Sequence, residues 1–200
     1  MKMSVASNIS AKQSVKTVFL DRDGVVNEKM PEGEYVKNWS DFRFLPGSLE
    51  AIRRLNQAGI RVVIVTNQRG ISLGLYSMAD LETIHAEFQS ALRSAGARVD
   101  RIYVCPHPKG ECDCRKPSPG LFEQARQEFP EITVASSVMI GDSFSDIEFG
   151  RQLGMRTVLI SGRGSHLRLS DEKALELANM SCSTLSEAVE ILLGDEQHAL

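Results

Sequence analysis

Two aspartates stand at the end of the first apolar segment, in "LDRDGVVN", residues 20–27. Asp21 and Asp23 flank Arg22, and Gly24 follows them directly. Carboxylates at the end of a buried strand are costly unless another group pairs with them. We therefore predict that these two carboxylates bind another group.

A second reactive cluster, in "CPHPKGECDC" (residues 105–114), has the ligand types of a zinc site. Its spacing is C-x-H-x₄-C-x-C, and three thiolates with one imidazole suit a closed, tetrahedral structural zinc ion. Two prolines and a glycine between the ligands supply the turns that such a loop needs. The alternatives are four side chains that only share a loop, or a redox-active Cys112–Cys114 pair. The expected zinc ligands are Cys105, His107, Cys112 and Cys114.

Five short segments rich in β-branched residues alternate with amphipathic segments and predict buried strands. They are residues 15–20, 61–66, 101–104, 137–140 and 157–160. Alternation at these lengths indicates right-handed crossovers, and therefore an α/β fold with a doubly wound, mostly parallel sheet in three layers. The length suits a single domain. We place it at residues 15–194, between a flexible N-terminal arm, residues 1–14, and a C-terminal tail, residues 195–200.

The amphipathic segments between these strands predict helices. Ser77 and Asp80 form a capping box before the apolar stripe of residues 81–92. Ser118 is predicted to cap the helix that follows it. Residues 161–170, "SGRGSHLRLS", are predicted to form a flexible loop.

Sheets of this kind bind ligands beyond the carboxyl ends of their strands. Asp21, Asp23, Thr66 and Asp142 all lie at the ends of predicted strands, so we expect them to meet at one edge of the sheet. Residues 28–46 follow the first strand and form a candidate wall for a site there.

Four segments at this edge are "LDRDG", "VTNQRG", "CRKPSPG" and "MIGDSFSD". Each of them alone fits a turn or an exposed charge. In this order they resemble the motifs of the haloacid dehalogenase superfamily of phosphotransferases, over residues 15–160. The resemblance implies a phosphoric monoester hydrolase. Most of residues 24–65 are used by one loop and one helix, so we expect no separate cap domain.

The resemblance also implies roles for individual residues. Asp21 would be the nucleophile that forms an aspartyl-phosphate, and Asp23 the general acid and base. Thr66 and Lys116 would stabilise the phosphoryl group. The implied Mg²⁺ ligands are the carboxylates of Asp21 and Asp142 and the backbone carbonyl of Asp23. The supporting residues are Ser143 and Asp146, of which Asp146 would anchor Lys116 or a metal-bound water.

The zinc loop followed by "RKPSPG", together with "VTNQRGI", is similar to the zinc-loop phosphatases that act on D-glycero-D-manno-heptose 1,7-bisphosphate. These remove the 7-phosphate during synthesis of heptose precursors for lipopolysaccharide or surface glycans. Histidinol-phosphate phosphatases carry nearly the same loop and are the alternative, with other small phosphomonoesters. Arg69 and Ser143 depart from the heptose pattern, whereas "GEYVKNWSDFRFLPG" resembles the corresponding loop of the heptose enzymes. The implied substrate contacts are Lys29, Glu34, Asn67, Gln68, Arg69 and Arg115.

The composition argues against several partners. A net charge of −3 does not favour binding to nucleic acid or to an anionic membrane. No apolar run reaches the length of a membrane span, and the N-terminus lacks the apolar core of a secretory signal. We therefore expect a cytosolic, monomeric enzyme with a small phosphorylated sugar as substrate. We expect Arg22, Trp39 and His85 to be structural rather than catalytic.

Overall fold

The computed structural model describes residues 14–162 and 169–197. The predicted N-terminal arm lies outside these residues except for Ser14, as do residues 163–168 of the predicted flexible loop and 198–200 of the predicted tail. No helix within the described ranges is long and apolar enough to cross a membrane.

Six parallel strands of the described chain form one sheet in the order β3-β2-β1-β4-β5-β6. They are β1 (Thr17–Leu20), β2 (Arg61–Asn67), β3 (Arg101–Cys105), β4 (Ser137–Gly141), β5 (Arg156–Ile160) and β6 (Met180–Cys182). At the carboxyl end of β1, Leu20 pairs with Ile64 on one side and with Ile140 on the other. The order of strands reverses at β1, which is where sheets of this type form a ligand crevice.

Helices cover both faces of the sheet, so the predicted three-layer, doubly wound fold is confirmed. The α-helices of the described residues are α1 (Ser48–Gln57), α2 (Met78–Ser94), α3 (Gly120–Glu128), α4 (Phe144–Leu153), α5 (Leu169–Leu177) and α6 (Leu185–Gln197). Short 3₁₀ helices lie at Trp39–Asp41 and Val134–Ser136.

Alternate side chains of the central strands face opposite layers because successive residues of a strand point to opposite faces. Val18 and Leu20 of β1 belong to the hydrophobic core that includes side chains of α1, α2 and α6. Phe19 lies between them and packs with Phe122 of α3 and Phe149 of α4. Both faces of β1 are therefore buried, and its carboxyl end is held in place from both sides.

The long segment between β1 and α1 folds back onto the domain. Trp39 stacks on Phe42 with ring centroids 5.0 Å apart, and Phe42 lies 5.5 Å from Phe88 of α2. Trp39 packs as expected. This aromatic cluster fixes one side of the segment and leaves residues 29–36 to line the carboxyl edge of the sheet.

Several element boundaries differ from the prediction. The sequence pattern does not predict β6, because three residues are too few to show a period, nor α5, which begins inside the predicted loop 161–170. The predicted cap at Ser118 is wrong: α3 starts at Gly120 with Pro119 as its N-cap. Helix α6 continues to Gln197 and so includes the first three residues of the predicted C-terminal tail. The capping box of Ser77 and Asp80 on α2 is confirmed.

A glycine in α4 lets this helix approach the sheet closely. A Cβ on Gly150 would lie 2.5 Å from Thr157 Cγ2 and 2.9 Å from Met139 Cβ. We expect Gly150→Ala to lower the free energy of unfolding by about 1–3 kcal/mol, because the helix must move off β4 and β5. In Gly194→Ala, the matched control in α6, the new Cβ meets nothing within 4 Å.

The control should gain roughly 0.5–1 kcal/mol from the better helix propensity of alanine. Urea or thermal unfolding of the two variants measures both effects. Equal stabilities of Gly150→Ala and the unmodified protein would contradict this packing.

Candidate active site

The carboxyl edge of the sheet carries a cleft with a cavity volume of about 280 Å³. Except for Arg69 and the zinc-loop ligands, the residues implied by the motifs all line it. They are Asp21, Asp23, Lys29, Glu34, Thr66, Asn67, Gln68, Arg115, Lys116, Asp142, Ser143 and Asp146. Arg69 is exposed and lies outside this lining, and its expected contact with the substrate stays a prediction. Arg69 lies two residues after the end of β2, and the side chain of Gln68, between them, is buried.

Lys116 is buried among oxygen acceptors at the centre of the cleft floor. Its Nζ lies 2.6 Å from Asp146 Oδ1 and 2.9 Å from Asp21 Oδ1, and it donates to the carbonyl oxygen of Val65 at 2.6 Å. An ammonium group has three protons to donate, and these three acceptors match them. Asp146 thus contacts Lys116 directly, and the lysine links the segment after β1, strand β2 and the first turn of α4.

The start of α4 fixes Asp146. Its Oδ2 accepts hydrogen bonds from the backbone N–H of Ser143 at 3.1 Å and from the Ser143 hydroxyl at 2.6 Å, which forms a capping box. A Cβ on Gly141 would overlap the side chain of Asp146, so only glycine allows this close approach. Ser143 therefore acts here as a helix cap.

The carboxylates of this floor resist ionising together. The pKa of Asp21 is raised to about 7, chiefly by burial and also by the carboxylates of Asp146 and Asp142, against the lowering effect of Lys116. Burial likewise raises the pKa of Asp142 to about 6. Burial alone would lower the pKa of Lys116, but Asp146 and Asp21 raise it above its ordinary value. Buried negative charge thus exceeds what this lysine balances, which favours a further cation.

The donor set fits Mg²⁺. Asp21, Asp142 and Asp146 each offer a carboxylate oxygen, and these atoms lie within 4.8 Å of one another. Asp142 Oδ1 is buried without a hydrogen-bond partner. Gly24 has a φ of +89°, and a Cβ there would overlap the Asp142 carboxylate, so the turn after β1 leaves room for that group. Hard carboxylate oxygens with one unsatisfied buried atom are what a hard divalent cation requires.

Asp23 occupies a different environment from Asp21. Arg22 Nη2 donates to both of its carboxylate oxygens, at 2.9 and 3.0 Å, while Asn27 Nδ2 donates at 2.9 Å and Gln68 Nε2 at 2.8 Å. Burial works to raise the pKa of Asp23, but the charge of Arg22 and these hydrogen bonds hold it below its ordinary value. Sequence reasoning missed Asn27, although it is fully buried four residues after Asp23.

Two residues expected to bind substrate also bind other protein groups. Gln68 Nε2 donates to Thr66 Oγ1 at 2.8 Å as well as to Asp23. Asn67 Nδ2 donates to the carbonyl oxygen of Lys116 at 3.2 Å, and its Oδ1 accepts from the Lys116 N–H at 3.1 Å. Both side chains line the cleft, and both hold catalytic candidates in position.

Residues 29–36 form the outer wall of the cleft. Lys29 Nζ lies 2.6 Å from Asp142 Oδ2, and the Lys29 side chain is more than half exposed. On the same wall, Tyr35 lies 6.2 Å from Tyr76 between ring centroids, and both rings pack around Gly70, where a Cβ would overlap Tyr76. The wall therefore contacts the segment between β2 and α2. It also places the ammonium group of Lys29 next to Asp142 of the cleft floor.

The zinc-loop residues converge at the end of β3. Cys105 Sγ lies 3.5 Å from Cys112 Sγ and 3.8 Å from His107 Nδ1. Cys114 Sγ lies 3.3 Å from Cys112 Sγ and 3.2 Å from His107 Nδ1. A tetrahedral ion with bonds of about 2.3 Å holds its ligands roughly 3.8 Å apart. The three thiols are free, so the cluster fits zinc and is not a disulfide.

This loop leads directly into the cleft floor. Arg115 Nη1 donates to the carbonyl oxygen of His107 at 3.3 Å, and the Gly120 N–H donates to the Asp113 carbonyl at 2.9 Å. Lys116 follows Cys114 by two residues. The loop thus determines where Arg115 and Lys116 enter the cleft.

Known proteins are similar to this chain. Residues 113–188 match the model of the HAD-hydrolase-like family. The D-glycero-alpha-D-manno-heptose-1,7-bisphosphate 7-phosphatase of Mycobacterium bovis is 41% identical over 137 residues, which are 68% of this chain and 72% of that protein. The D-glycero-beta-D-manno-heptose-1,7-bisphosphate 7-phosphatase of Bordetella bronchiseptica is 37% identical over 180 residues, which are 90% of this chain and 98% of that protein.

A solved structure agrees with the sequence relatives. The crystal structure of D,D-heptose 1,7-bisphosphate phosphatase from B. bronchiseptica, complexed with magnesium and phosphate, has a TM-score of 0.78 and 35% identity. The match covers 90% of this chain and 99% of that one. On this similarity the chain belongs to the haloacid dehalogenase superfamily, in the family of the D-glycero-D-manno-heptose 1,7-bisphosphate 7-phosphatases.

Proposed function

We propose that this protein is a Mg²⁺-dependent phosphatase that removes the 7-phosphate of D-glycero-D-manno-heptose 1,7-bisphosphate, for the synthesis of heptose precursors of lipopolysaccharide or surface glycans. The observation that carries the proposal is the convergence of Asp21, Asp142 and Lys116 on the floor of one cleft, with Thr66 beside them. The relatives whose names state this activity match the chain over most of its length.

The cation would be held by the carboxylates of Asp21 and Asp142 and by the backbone carbonyl of Asp23. When bound, Mg²⁺ supplies positive charge that offsets the repulsion between a phosphate dianion and a carboxylate. Lys116 adds positive charge next to Asp21, and the Thr66 hydroxyl donates a hydrogen bond to a phosphoryl oxygen.

Asp21 carries out the covalent step. Its carboxylate oxygen attacks phosphorus in line, the bond to the sugar oxygen breaks, and Asp23 gives that oxygen a proton. In the second step Asp23 takes a proton from water, the water oxygen attacks the aspartyl-phosphate, and inorganic phosphate leaves with Asp21 restored. The ion pair with Arg22 favours the carboxylate form of Asp23, which is the form that accepts this proton.

The walls of the cleft suit a phosphorylated sugar. Lys29 and Arg115 bring two cationic groups to its lining, as a second phosphate requires, and Glu34 offers a carboxylate to hydroxyl groups. Histidinol phosphate is the second candidate, because Glu32 and Glu34 both line the cleft and a carboxylate pair suits an ammonium group.

We place the enzyme in the cytosol as a monomer, with one catalytic domain at residues 15–194, and with zinc as a structural ion. The free thiols of the zinc loop accord with a reducing compartment.

The substrate assignment predicts the outcome of a phosphate-release panel run with Mg²⁺. The panel contains both anomers of heptose 1,7-bisphosphate, fructose 1,6-bisphosphate and histidinol phosphate, with Asp142→Asn as the control for contaminating phosphatases. We expect the highest kcat/KM for a heptose bisphosphate. A dominant signal from histidinol phosphate would replace this assignment with the second candidate.

Zinc is predicted to be necessary for activity because its loop positions Arg115 and Lys116. Cys112→Ser should lose zinc, measured by elemental analysis of the purified protein, and at least tenfold in kcat/KM. Cys182→Ser, which alters a buried thiol far from the loop in sequence, is the control and should keep its zinc. Full activity of a folded, zinc-free Cys112→Ser protein would refute the coupling.

A further inference from the structure

Arg22 lies in the D-x-D motif, yet it points away from the cleft and is fully buried. A buried guanidinium is costly unless its donors are paired. Its Nε and Nη2 atoms donate to Asp23, at 3.3 Å for Nε and 2.9 Å for Nη2. Its Cζ atom lies 5.9 Å from the centroid of the Phe42 ring. The guanidinium therefore fixes the carboxylate of Asp23 through a forked contact, from the side away from the cleft.

The other end of this guanidinium is held by a residue of α2. Arg22 Nη1 lies 3.2 Å from His85 Nε2, across 63 positions of the chain. Arginine only donates, so Nε2 must accept, and the ring proton resides on Nδ1. Burial, followed by the charge of Arg22, lowers the pKa of His85 to about 3, so the imidazole is neutral and able to accept.

Gln68, directly after β2, closes the network. Its Oε1 accepts from Tyr76 Oη at 2.6 Å and from Arg22 Nη2 at 3.4 Å, while its Nε2 reaches Asp23. Asp23 is thus held by Arg22 and Asn27 from the segment after β1 and by Gln68 from the segment after β2. His85 in turn contacts Arg22, and Tyr76 contacts Gln68.

We propose that His85 is a positioning residue for phosphoryl transfer: by accepting a hydrogen bond from Arg22, it orients the guanidinium that holds Asp23 towards the leaving oxygen. His85 touches neither substrate nor metal ligand and acts through two intervening side chains. A general acid contributes only when it lies within hydrogen-bond reach of the oxygen it protonates, so small displacements of Asp23 carry a large rate penalty.

The inference rests on the proposed role of Asp23 as general acid. Two esters that differ in their leaving group distinguish a misplaced general acid from a general loss of stability. An alkyl phosphate, such as the sugar phosphate, needs a proton on its leaving oxygen, whereas p-nitrophenyl phosphate does not. The value of kcat/KM reports the steps up to formation of the aspartyl-phosphate, where this proton is given. Both esters are measured with saturating Mg²⁺ on zinc-loaded enzyme.

In His85→Phe, which keeps a planar ring but no acceptor, kcat/KM for the alkyl ester should fall roughly 10- to 100-fold. The fall for p-nitrophenyl phosphate should stay below about threefold, because that step needs no acid. His85→Gln places an amide oxygen near the position of Nε2 and should restore most of the loss. Gln89→Leu, one turn further along α2, is the matched control and should behave as the unmodified enzyme.

Should His85→Phe fail to fold, His85→Asn and His85→Gln are compared instead. The shorter side chain of Asn does not reach Arg22, so His85→Asn should lose kcat/KM for the alkyl ester alone, and His85→Gln should not. Equal falls for both esters in a folded variant, or no fall for either, would overturn the positioning role. An unmodified enzyme that releases phosphate from neither ester would instead refute the proposed function itself.

Discussion

The ion pairs of Lys116 with Asp21 and Asp146 are the interaction on which the rest of the site depends. They bring together residues that follow β1, β3 and β4, and they place one buried cation among carboxylates whose mutual repulsion would otherwise separate them. Burial, reinforced by the neighbouring carboxylates, raises the pKa values of Asp21 and Asp142 in spite of that cation. A site that holds excess negative charge in a low dielectric binds a divalent ion strongly, and it is then ready to receive a phosphate dianion.

The two aspartates of the first motif differ because their surroundings differ. Asp21 lies among carboxylates, with its pKa raised chiefly by burial, whereas Asp23 is surrounded by donors and has a lowered pKa. In the proposed mechanism, the charge of a bound Mg²⁺ would lower the pKa of Asp21 and keep this carboxylate ionised for attack, whereas Asp23 takes part in proton transfer. Gly24, whose φ is +89°, leaves room beside this pair for the Asp142 carboxylate.

Sequence reasoning located the elements that carry strong local signals. Residues in strand-end motifs, such as Asp21 and Lys116, were predictable because their types and order are distinctive, and the structure brings them to one edge. The contact between Arg22 and His85 was not predictable, because it joins residues 63 positions apart and neither residue type identifies its partner. The exposed position of Arg69, outside the cleft lining, was not predictable for a related reason, since a motif gives the residue type but not which way the chain turns after the strand.

The central claim is that the cleft lets the Asp21 carboxylate bond to phosphorus, and borohydride trapping tests it most directly. Enzyme quenched during turnover of the phosphorylated sugar is reduced with borohydride and mapped by peptide mass spectrometry. A phosphorylated Asp21 becomes homoserine under these conditions, so the account predicts homoserine at position 21 in the protein turning over with Mg²⁺. The same treatment without substrate, or of Asp21→Asn, should give none. Homoserine at another aspartate, or none in an enzyme that releases phosphate, would contradict the account.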